Sequence, residues 1–286
     1  MEGNQEKQLK VLASKIRCDV LEMLLHRGYG HVGGSLSLVE TMAVLYGKQL
    51  QVDPNKPTKE DRDMVVLSKG HSGPVWYSAL AEKGYFDKEV LFTLNDGGTI
   101  LPSHPDRTKT PGVDMTTGSL GQGTSSAAGI AYGQKLRKEK SYTYLIVGDG
   151  ELNEGQCWKA FQFIAQYKLN NCIVMIDNNK RQLDGYTKDI MNPFDICKKM
   201  EAFGFKTFEA KGNDVTSIDH AIESAKTVKD QAVCIVLDTI KGQGGPYFET
   251  LLSNHSVKFS NDEINDATNQ SIADCKVFVE KEEQDV

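Results

Sequence analysis

The 286-residue sequence lacks the features that mark membrane, secreted and nucleic-acid-binding proteins. No apolar run approaches the ~18 residues of a membrane-spanning helix. The start, Met-Glu-Gly-Asn-Gln-Glu-Lys, does not have the basic and then apolar layout of a signal peptide. Positive charge is not in excess either: the net charge is −6, which argues against a nucleic-acid groove or an anionic membrane surface as the main partner. We expect a soluble protein that binds neither nucleic acid nor membrane.

Paired cysteines are also missing, because the six cysteines are scattered and form no Cys-x-x-Cys motif. Several of them stand inside apolar runs, such as Cys172 in 171-NCIVMID-177. Buried free thiols in a reducing compartment are the ordinary explanation of this pattern. We therefore expect the protein to be cytoplasmic.

Short apolar runs alternate with helix-favouring segments along the chain. Four runs do not alternate with polar residues and predict strands covered on both faces: 63–68, 142–149, 171–177 and 232–240. Predicted helices cover 4–29, a segment opening at Ser35 or Ser37, and then 73–83, 121–138, 154–168, 193–203 and 214–228. This order predicts an α/β fold with a doubly wound parallel sheet.

We expect residues 1–286 to form a single domain, because the sequence shows neither an internal repeat nor a low-complexity linker. Its last part, 261–286, predicts a helix followed by an acidic, frayed end. Ligands of parallel α/β sheets bind where strands end and loops enter the next helices. A site is therefore expected in the loops that follow Ser68, Val147, Ile176 and Ile240.

One of these loops contains the sequence 148-GDGELNEG-155. Asp149 stands at the end of a predicted strand, and the flanking glycines let backbone approach a ligand before a helix that favours anions at its start. Asn179 follows the next predicted strand, one helix and one strand further on. Oxygens of these two side chains, together with phosphate oxygens, would suit Mg²⁺. A lone Gly-Asp-Gly is most simply a turn, but the pair at this spacing favours a metal and phosphate site.

Histidines form a second group of candidates. Two of the six, His26 and His220, fall within predicted helices and are expected to be ordinary surface or packing residues. The other four lie in loops that contain glycine, serine or proline: His31, His71, His104 and His255. Because imidazole both donates and accepts hydrogen bonds near neutral pH, four such loops suggest a polyol or phosphate site.

The Gly-Asp-Gly motif with its downstream asparagines resembles the thiamine diphosphate-binding motif. Further segments resemble, in order and in spacing, the amino-terminal half of a transketolase: 67-LSKGHS-72, 101-LPSHPD-106 and 116-TTGSLGQGTSSAAGIAYG-133. The E1 α subunits of 2-oxo acid dehydrogenases share the first motif but not this set. The resemblance runs from about Val11 to about Asp262 and implies the diphosphate-binding type of the thiamine diphosphate-binding fold.

The resemblance implies a metal and diphosphate site. Asp149, Asn179 and the carbonyl of Arg181 would bind Mg²⁺, or Ca²⁺ or Mn²⁺ in its place. The backbone N–H of Gly150 would donate to the diphosphate, and Lys241 is a further candidate for contact with it.

Other positions match residues that surround the cofactor's rings. Gly118 and Leu120 match the turn that packs on the aminopyrimidine, with the Gly118 carbonyl as a hydrogen-bond acceptor. Leu183 matches the apolar residue that wedges the cofactor.

Catalytic contacts are implied for the loop histidines and one glutamate. His71 and His255 would reach the diphosphate and the reacting carbons, whereas His31 and His104 would bind sugar hydroxyls. Glu154 matches a glutamate at the subunit boundary and would contact the catalytic glutamate of a partner.

That catalytic glutamate belongs, by the same resemblance, to a separate pyrimidine-binding domain that complete transketolase chains carry together with a third domain. Either the chain is an artificial truncation or it is a natural subunit whose partner supplies both. The polar last helix and charged tail look like a finished surface end, which favours the second explanation and an α₂β₂ assembly.

The resemblance thus implies the α subunit of a two-component transketolase of the pentose phosphate pathway. It would move a two-carbon ketol unit from a ketose phosphate to an aldose phosphate. Two alternatives remain open. One is a subunit of a 1-deoxyxylulose 5-phosphate synthase-like or unusual-sugar ketol transferase. The other is a non-catalytic, cofactor-binding regulatory protein, which would be expected to have lost Asp149, Asn179 or several loop histidines.

Overall fold

The computed structural model describes residues 3–284. Its centre is a five-stranded parallel sheet. The strands are β2 (Met64–Leu67), β3 (Thr143–Gly148), β4 (Cys172–Asn178), β7 (Phe205–Lys211) and β8 (Ala232–Asp238). They lie side by side in the order β2-β3-β4-β8-β7. Two small antiparallel pairs complete the strands: β1 (Tyr29–Gly30) with β9 (Val257–Lys258), and β5 (Arg181–Gln182) with β6 (Gly185–Tyr186).

Helices cover both faces of the sheet, as the doubly wound prediction requires. They are α1 (Gly3–Arg27), α2 (Gly33–Leu36), α3 (Val39–Val44), α4 (Gly73–Lys83), α5 (Gln122–Leu136), α6 (Gly155–Gln166), α7 (Thr187–Ile190), α8 (Ile196–Ala202), α9 (Val215–Thr227), α10 (Pro246–Thr250) and α11 (Asp262–Gln284). Among residues 3–284, none of them is both long enough and apolar enough to cross a membrane.

Two apolar cores lie on opposite faces of the sheet because successive strand residues point to opposite sides. In β3, Tyr144 and Ile146 join the core under α1, α3, α4 and α9, whereas Leu145 and Val147 join the core under α5, α6 and α8. All four are fully buried. This two-sided burial explains why the predicted strands read as unbroken apolar runs, and it confirms the predicted fold class.

Four details differ from the sequence-based predictions. The single helix predicted to open at Ser35 or Ser37 is two short helices, α2 and α3, separated by Ser37 and Leu38. The edge strand β7 was missed, because FKTFEAK mixes buried and exposed positions and carries the charged residues that edge strands favour. The predicted helix over 193–203 begins only at Ile196, where Asp195 caps it by accepting from the Lys198 N–H at 3.0 Å. The acidic end predicted to fray is helical as far as Gln284.

Candidate cofactor-binding site

Loops after β2, β3, β4 and β8 converge on one cleft of about 380 Å³ at the carboxyl edge of the sheet. All thirteen predicted site residues line it: His31, His71, His104, Gly118, Leu120, Asp149, Gly150, Glu154, Asn179, Arg181, Leu183, Lys241 and His255. Six further lining residues had no predicted role of their own: Gly34, Lys69, Gly148, Glu151, Asn153 and Gln182. The carboxyl-edge rule therefore located the cleft correctly, while the individual roles remain predictions.

Close backbone approach brings the loops together. A Cβ at Gly34 would lie 2.8 Å from Ser72 Oγ and 3.2 Å from His71 Nε2, and a Cβ at Gly70 would lie 2.8 Å from the backbone N of Gly118. Side chains larger than glycine would push these loops apart. The loop that contains Gly70 and His71 therefore packs directly on the turn at Gly118.

The end of β3 carries a buried carboxylate without a cationic partner. Asp149 is 3% exposed; its two oxygens accept the backbone N–H groups of Gly150 at 2.8 Å and Lys180 at 2.6 Å. Burial, together with the charge of Asp177, raises the pKa of Asp149 to about 7. Within residues 3–284, no lysine or arginine forms an ion pair with it. A divalent cation would balance this charge, so the donor set fits a metal.

Asn179 and Arg181 flank Lys180, whose backbone N–H donates to Asp149 at 2.6 Å. Asn179 is 6% exposed, and its Oδ1 accepts the Arg181 N–H at 3.1 Å across a turn in which Lys180 has φ 64°. The Arg181 guanidinium is held away by the Leu251 carbonyl, to which it donates at 2.8 Å. The Arg181 carbonyl lies 3.4 Å from Nζ of the cleft residue Lys241, so the main chain of Arg181 faces the cleft while its guanidinium binds a carbonyl outside the cleft lining.

Lys241 is a buried ammonium on the same side of the cleft. It is 3% exposed, and its Nζ lies 3.4 Å from the carbonyls of Arg181 and Gln182 and 3.2 Å from His255 Nδ1. Burial, followed by the charge of Lys69, lowers the pKa of Lys241 to about 8. The Arg181 carbonyl predicted to bind the metal is thus within reach of a positive side chain that can also serve a phosphate.

The four loop histidines form one cluster. The His31 ring centroid lies 5.5 Å from that of His71, 5.9 Å from that of His104 and 5.2 Å from that of His255. Burial is the main cause that lowers the pKa of all four, and the Lys241 charge helps to lower the pKa of His255 to about 3. Neutral imidazoles can both donate and accept, which suits the binding of hydroxyl groups.

Replacing His255 by glutamine is expected to make the protein more acid-resistant. The folded-state pKa of His255 lies below its ordinary value, so unfolding takes up a proton between about pH 3 and 6.5, and stability rises with pH over that window. Compared with wild type, H255Q should gain a few degrees in Tm as the pH is lowered from 7.5 to 5. The exposed His220 of α9 provides the control variant H220Q; equal pH profiles for H255Q and wild type would contradict the prediction.

Glu151 ties three of the loops together, a role that sequence reasoning missed. This side chain is 2% exposed and accepts from the backbone N–H of Gly121 at 2.8 Å, the N–H of Gly148 at 3.1 Å and the hydroxyl of Ser68. The available signal was an acidic residue directly after a Gly-Asp-Gly turn at a buried strand end. Such a carboxylate must find N–H donors there.

Glu154 and Leu183 stand at the mouth of the cleft. Glu154 is exposed, and Leu183 has 63% of its surface accessible. A single exposed leucine is normal on a protein surface, so the cofactor contact of Leu183 stays a prediction.

Comparison with known proteins agrees with this geometry. Residues 8–283 match the description "Transketolase, thiamine diphosphate binding domain". The chain is 44% identical over 259 residues to the 6-deoxy-6-sulfo-D-fructose transketolase subunit of Clostridium sp. (strain MSTE9), which covers 90% of this chain and 94% of that one. It is 41% identical over 244 residues to one of the subunits of the apulose-4-phosphate transketolase of Actinobacillus succinogenes, with 85% and 87% covered.

A solved transketolase has the same fold. The structure of the enzyme from Campylobacter jejuni superposes with a TM-score of 0.85 and 28% identity over 95% of this chain, but only 43% of that chain is covered. The present chain therefore spans less than half of that transketolase. Its fold, its cleft and these similarities show that the chain belongs to the transketolase family, a family of transferases, and carries the thiamine diphosphate binding domain.

Proposed function

We propose that this chain is the diphosphate-binding subunit of a two-component transketolase. With thiamine diphosphate and Mg²⁺ it transfers a two-carbon ketol unit from a ketose phosphate to an aldose phosphate, in an α₂β₂ assembly with a second subunit. That second subunit supplies the pyrimidine-binding and carboxyl-terminal domains. The observation that carries the proposal is the set of residues that line the cleft. Residues for metal and diphosphate converge in it, yet in the described part of the chain no aromatic ring other than imidazole lines it.

Each group of cleft residues has a task in this reaction. Thiamine diphosphate supplies the carbon nucleophile and the electron sink. Asp149, Asn179 and the Arg181 carbonyl hold the metal, which Ca²⁺ or Mn²⁺ could replace because all three ligands are oxygens. Lys241 binds the diphosphate, and so does the Gly150 N–H once it exchanges its 2.8 Å hydrogen bond to Asp149 Oδ1 for a phosphate oxygen.

The neutral histidines orient the sugar and exchange protons with its hydroxyls. His31 and His104 would bind hydroxyl groups, while His71 and His255, whose ring centroids lie 4.6 Å apart, would reach the diphosphate and the reacting carbons. A neutral imidazole can accept a hydroxyl proton and return it. Its lowered pKa keeps it in this form at neutral pH.

An unusual sugar is favoured over the common pentose phosphates as the donor. Two relatives that match this chain over most of their length are named for 6-deoxy-6-sulfo-D-fructose and for apulose 4-phosphate. The alternative of a 1-deoxyxylulose 5-phosphate synthase-like subunit has no comparable support. The non-catalytic alternative is opposed by the complete set of thirteen residues in the cleft.

Reconstitution tests the proposal. The purified chain is assayed for ketol transfer alone and with a candidate second subunit of the pyrimidine-binding type from the same organism, using xylulose 5-phosphate, 6-deoxy-6-sulfofructose and apulose 4-phosphate as donors. We expect no transfer by the chain alone and cofactor-dependent transfer by the mixture, with a preference for one of the last two donors. Transfer by the chain alone would refute the composite site, and a preference for xylulose 5-phosphate would place the enzyme in the pentose phosphate pathway.

A cytoplasmic location is part of the proposal. All six cysteines are unpaired, and five of them are buried. Free buried thiols fit a reducing compartment. Fractionation of cells that produce the protein at natural levels would test this.

A further inference from the structure

Next to the candidate metal site lies a buried ion pair, of which Lys69 lines the cleft and Asp177 does not. Asp177, near the end of β4, is fully buried and does not line the cleft. Its carboxylate pairs with the ammonium of Lys69, which is only 1% exposed and comes from the loop after β2. Two charges buried this deeply are expensive to desolvate, and well-packed apolar side chains are often at least as stable. The pair therefore calls for an explanation other than stability.

We propose that Asp177 is a positioning residue that fixes the side-chain amide of Asn179, with Lys69 as its counter-ion. Its oxygen Oδ2 accepts the Asn179 Nδ2–H at 2.9 Å. This inference rests on the proposed function only in taking Asn179 as a ligand of the metal.

The direction of the hydrogen bond between Asn179 and Asp177 determines which end of the amide faces Asp177. A carboxylate paired with an ammonium can accept hydrogen bonds but cannot donate them. The Asn179 side chain must therefore turn its NH₂ towards Asp177, which leaves its carbonyl oxygen on the opposite side, where the Arg181 N–H lies at 3.1 Å. The two ends of an amide have nearly the same shape, so packing alone would not select this orientation; it is selected by the Asp177 acceptor at one end and the Arg181 N–H donor at the other.

The remaining contacts of Asp177 hold the carboxylate itself in one position. Ser37 Oγ donates to Oδ2 at 2.7 Å, and Thr239 Oγ1 donates to Oδ1. Lys69 is fixed in turn by the Gly34 carbonyl, to which its Nζ donates at 2.9 Å. Donors from three separate loops thus converge on one side chain. Hydrogen-bonded outer partners of this kind commonly orient metal ligands.

Substitution of Asp177 by asparagine tests the inference. The new side chain can present an NH₂ to Asn179 and so permits the wrong amide orientation. With the assembled enzyme and saturating thiamine diphosphate, we expect the Kd for Mg²⁺, measured by calorimetry, to rise about 10- to 100-fold in D177N, the effect typical of outer-shell partners. The matched control is D219N, since Asp219 is 1% exposed and accepts from Lys48 at 2.7 Å and Gln49 at 2.6 Å away from the cleft.

The outcomes are distinct. If D177N and D219N have the same Mg²⁺ affinity, Asp177 does not position the ligand and the inference is wrong. If wild type itself binds no Mg²⁺, the proposed function fails instead. The double variant D177N/N179D separates positioning from a purely structural role. An aspartate at position 179 presents an oxygen whichever way its carboxylate turns, so it does not need to be oriented. Its Kd for Mg²⁺ is the readout.

That double variant also keeps the test decisive if D177N does not fold. It retains one carboxylate and one amide in contact, with their positions exchanged. We expect its Kd for Mg²⁺ to lie within about tenfold of wild type, less than the loss that removal of an orienting partner causes. A folded double variant that binds Mg²⁺ more than about 100-fold more weakly than wild type would overturn the proposal.

Discussion

Substitution of Asp149 by asparagine is expected to weaken Mg²⁺-dependent binding of thiamine diphosphate by more than about 100-fold, above the range found for residues that only orient a ligand. The carboxylate is buried among loops, accepts only backbone N–H groups and has its pKa raised to about 7. Its charge is therefore poorly balanced until a cation binds. Removing the charge takes away the strongest electrostatic attraction for the metal.

The same substitution should have little effect on the cation-free protein. A raised pKa means that the ionised form of Asp149 opposes folding above about pH 4, so loss of the charge offsets the loss of one backbone hydrogen bond. Thermal unfolding at pH 8 with and without Mg²⁺ and cofactor checks this: D149N should keep its Tm without ligands and lose the rise on adding them. The control D214N removes a carboxylate that also accepts two backbone N–H groups, at the start of α9. A ligand-induced Tm rise of wild-type size in D149N would contradict the metal assignment.

Substitution of Lys241 by methionine is expected to raise the Kd for thiamine diphosphate about 10- to 100-fold, the equivalent of one lost charged hydrogen bond. Methionine keeps most of the volume of this 3%-exposed side chain. Because the lysine pKa is about 8, the wild-type affinity should fall above pH 8, whereas that of K241M should not. Calorimetry on the assembled enzyme at pH 7 and 9 measures both effects.

A second readout separates loss of charge from loss of packing. The Lys241 ammonium, 3.2 Å from His255 Nδ1, helps to lower the pKa of that histidine. NMR titration of the ring protons should therefore show a higher His255 pKa in K241M. The control K180M removes an ammonium that pairs with Asp238 outside the cleft. Equal cofactor affinity in K241M and K180M would exclude a diphosphate contact for Lys241.

Sequence reasoning succeeded where the signal is local. Buried central strands leave unbroken apolar runs, and residues that follow them must meet at one edge of a parallel sheet. This was enough to bring Asp149, Asn179, His71 and His255 together, whereas His31 and His104 follow no strand of the central sheet and were assigned to the site by the family resemblance. The strand Phe205–Lys211 escaped because it mixes buried and exposed positions, whereas Met64–Leu67 at the other edge of the sheet is apolar throughout.

The supporting contacts were not predictable for a different reason. Lys69 and Asp177 are 108 positions apart, and a lysine and an aspartate are each expected at the surface unless a partner is known. Glu151 has the same ambiguity, because its three donors come from loops that only the folded chain brings together. Local patterns identify groups that meet a ligand, whereas the groups that hold them depend on tertiary contacts.

The exposed rim of the cleft has an evolutionary consequence. The residues predicted to face the metal and the diphosphate lie deep, where Glu151 and the close turns at Gly34 and Gly70 hold the loops together, whereas Leu183 is exposed at the entrance. Any surface that covers the entrance shapes the space beyond the reacting carbons. Sugar preference can therefore diverge through changes to that covering surface, while the deep residues stay under a constant chemical demand.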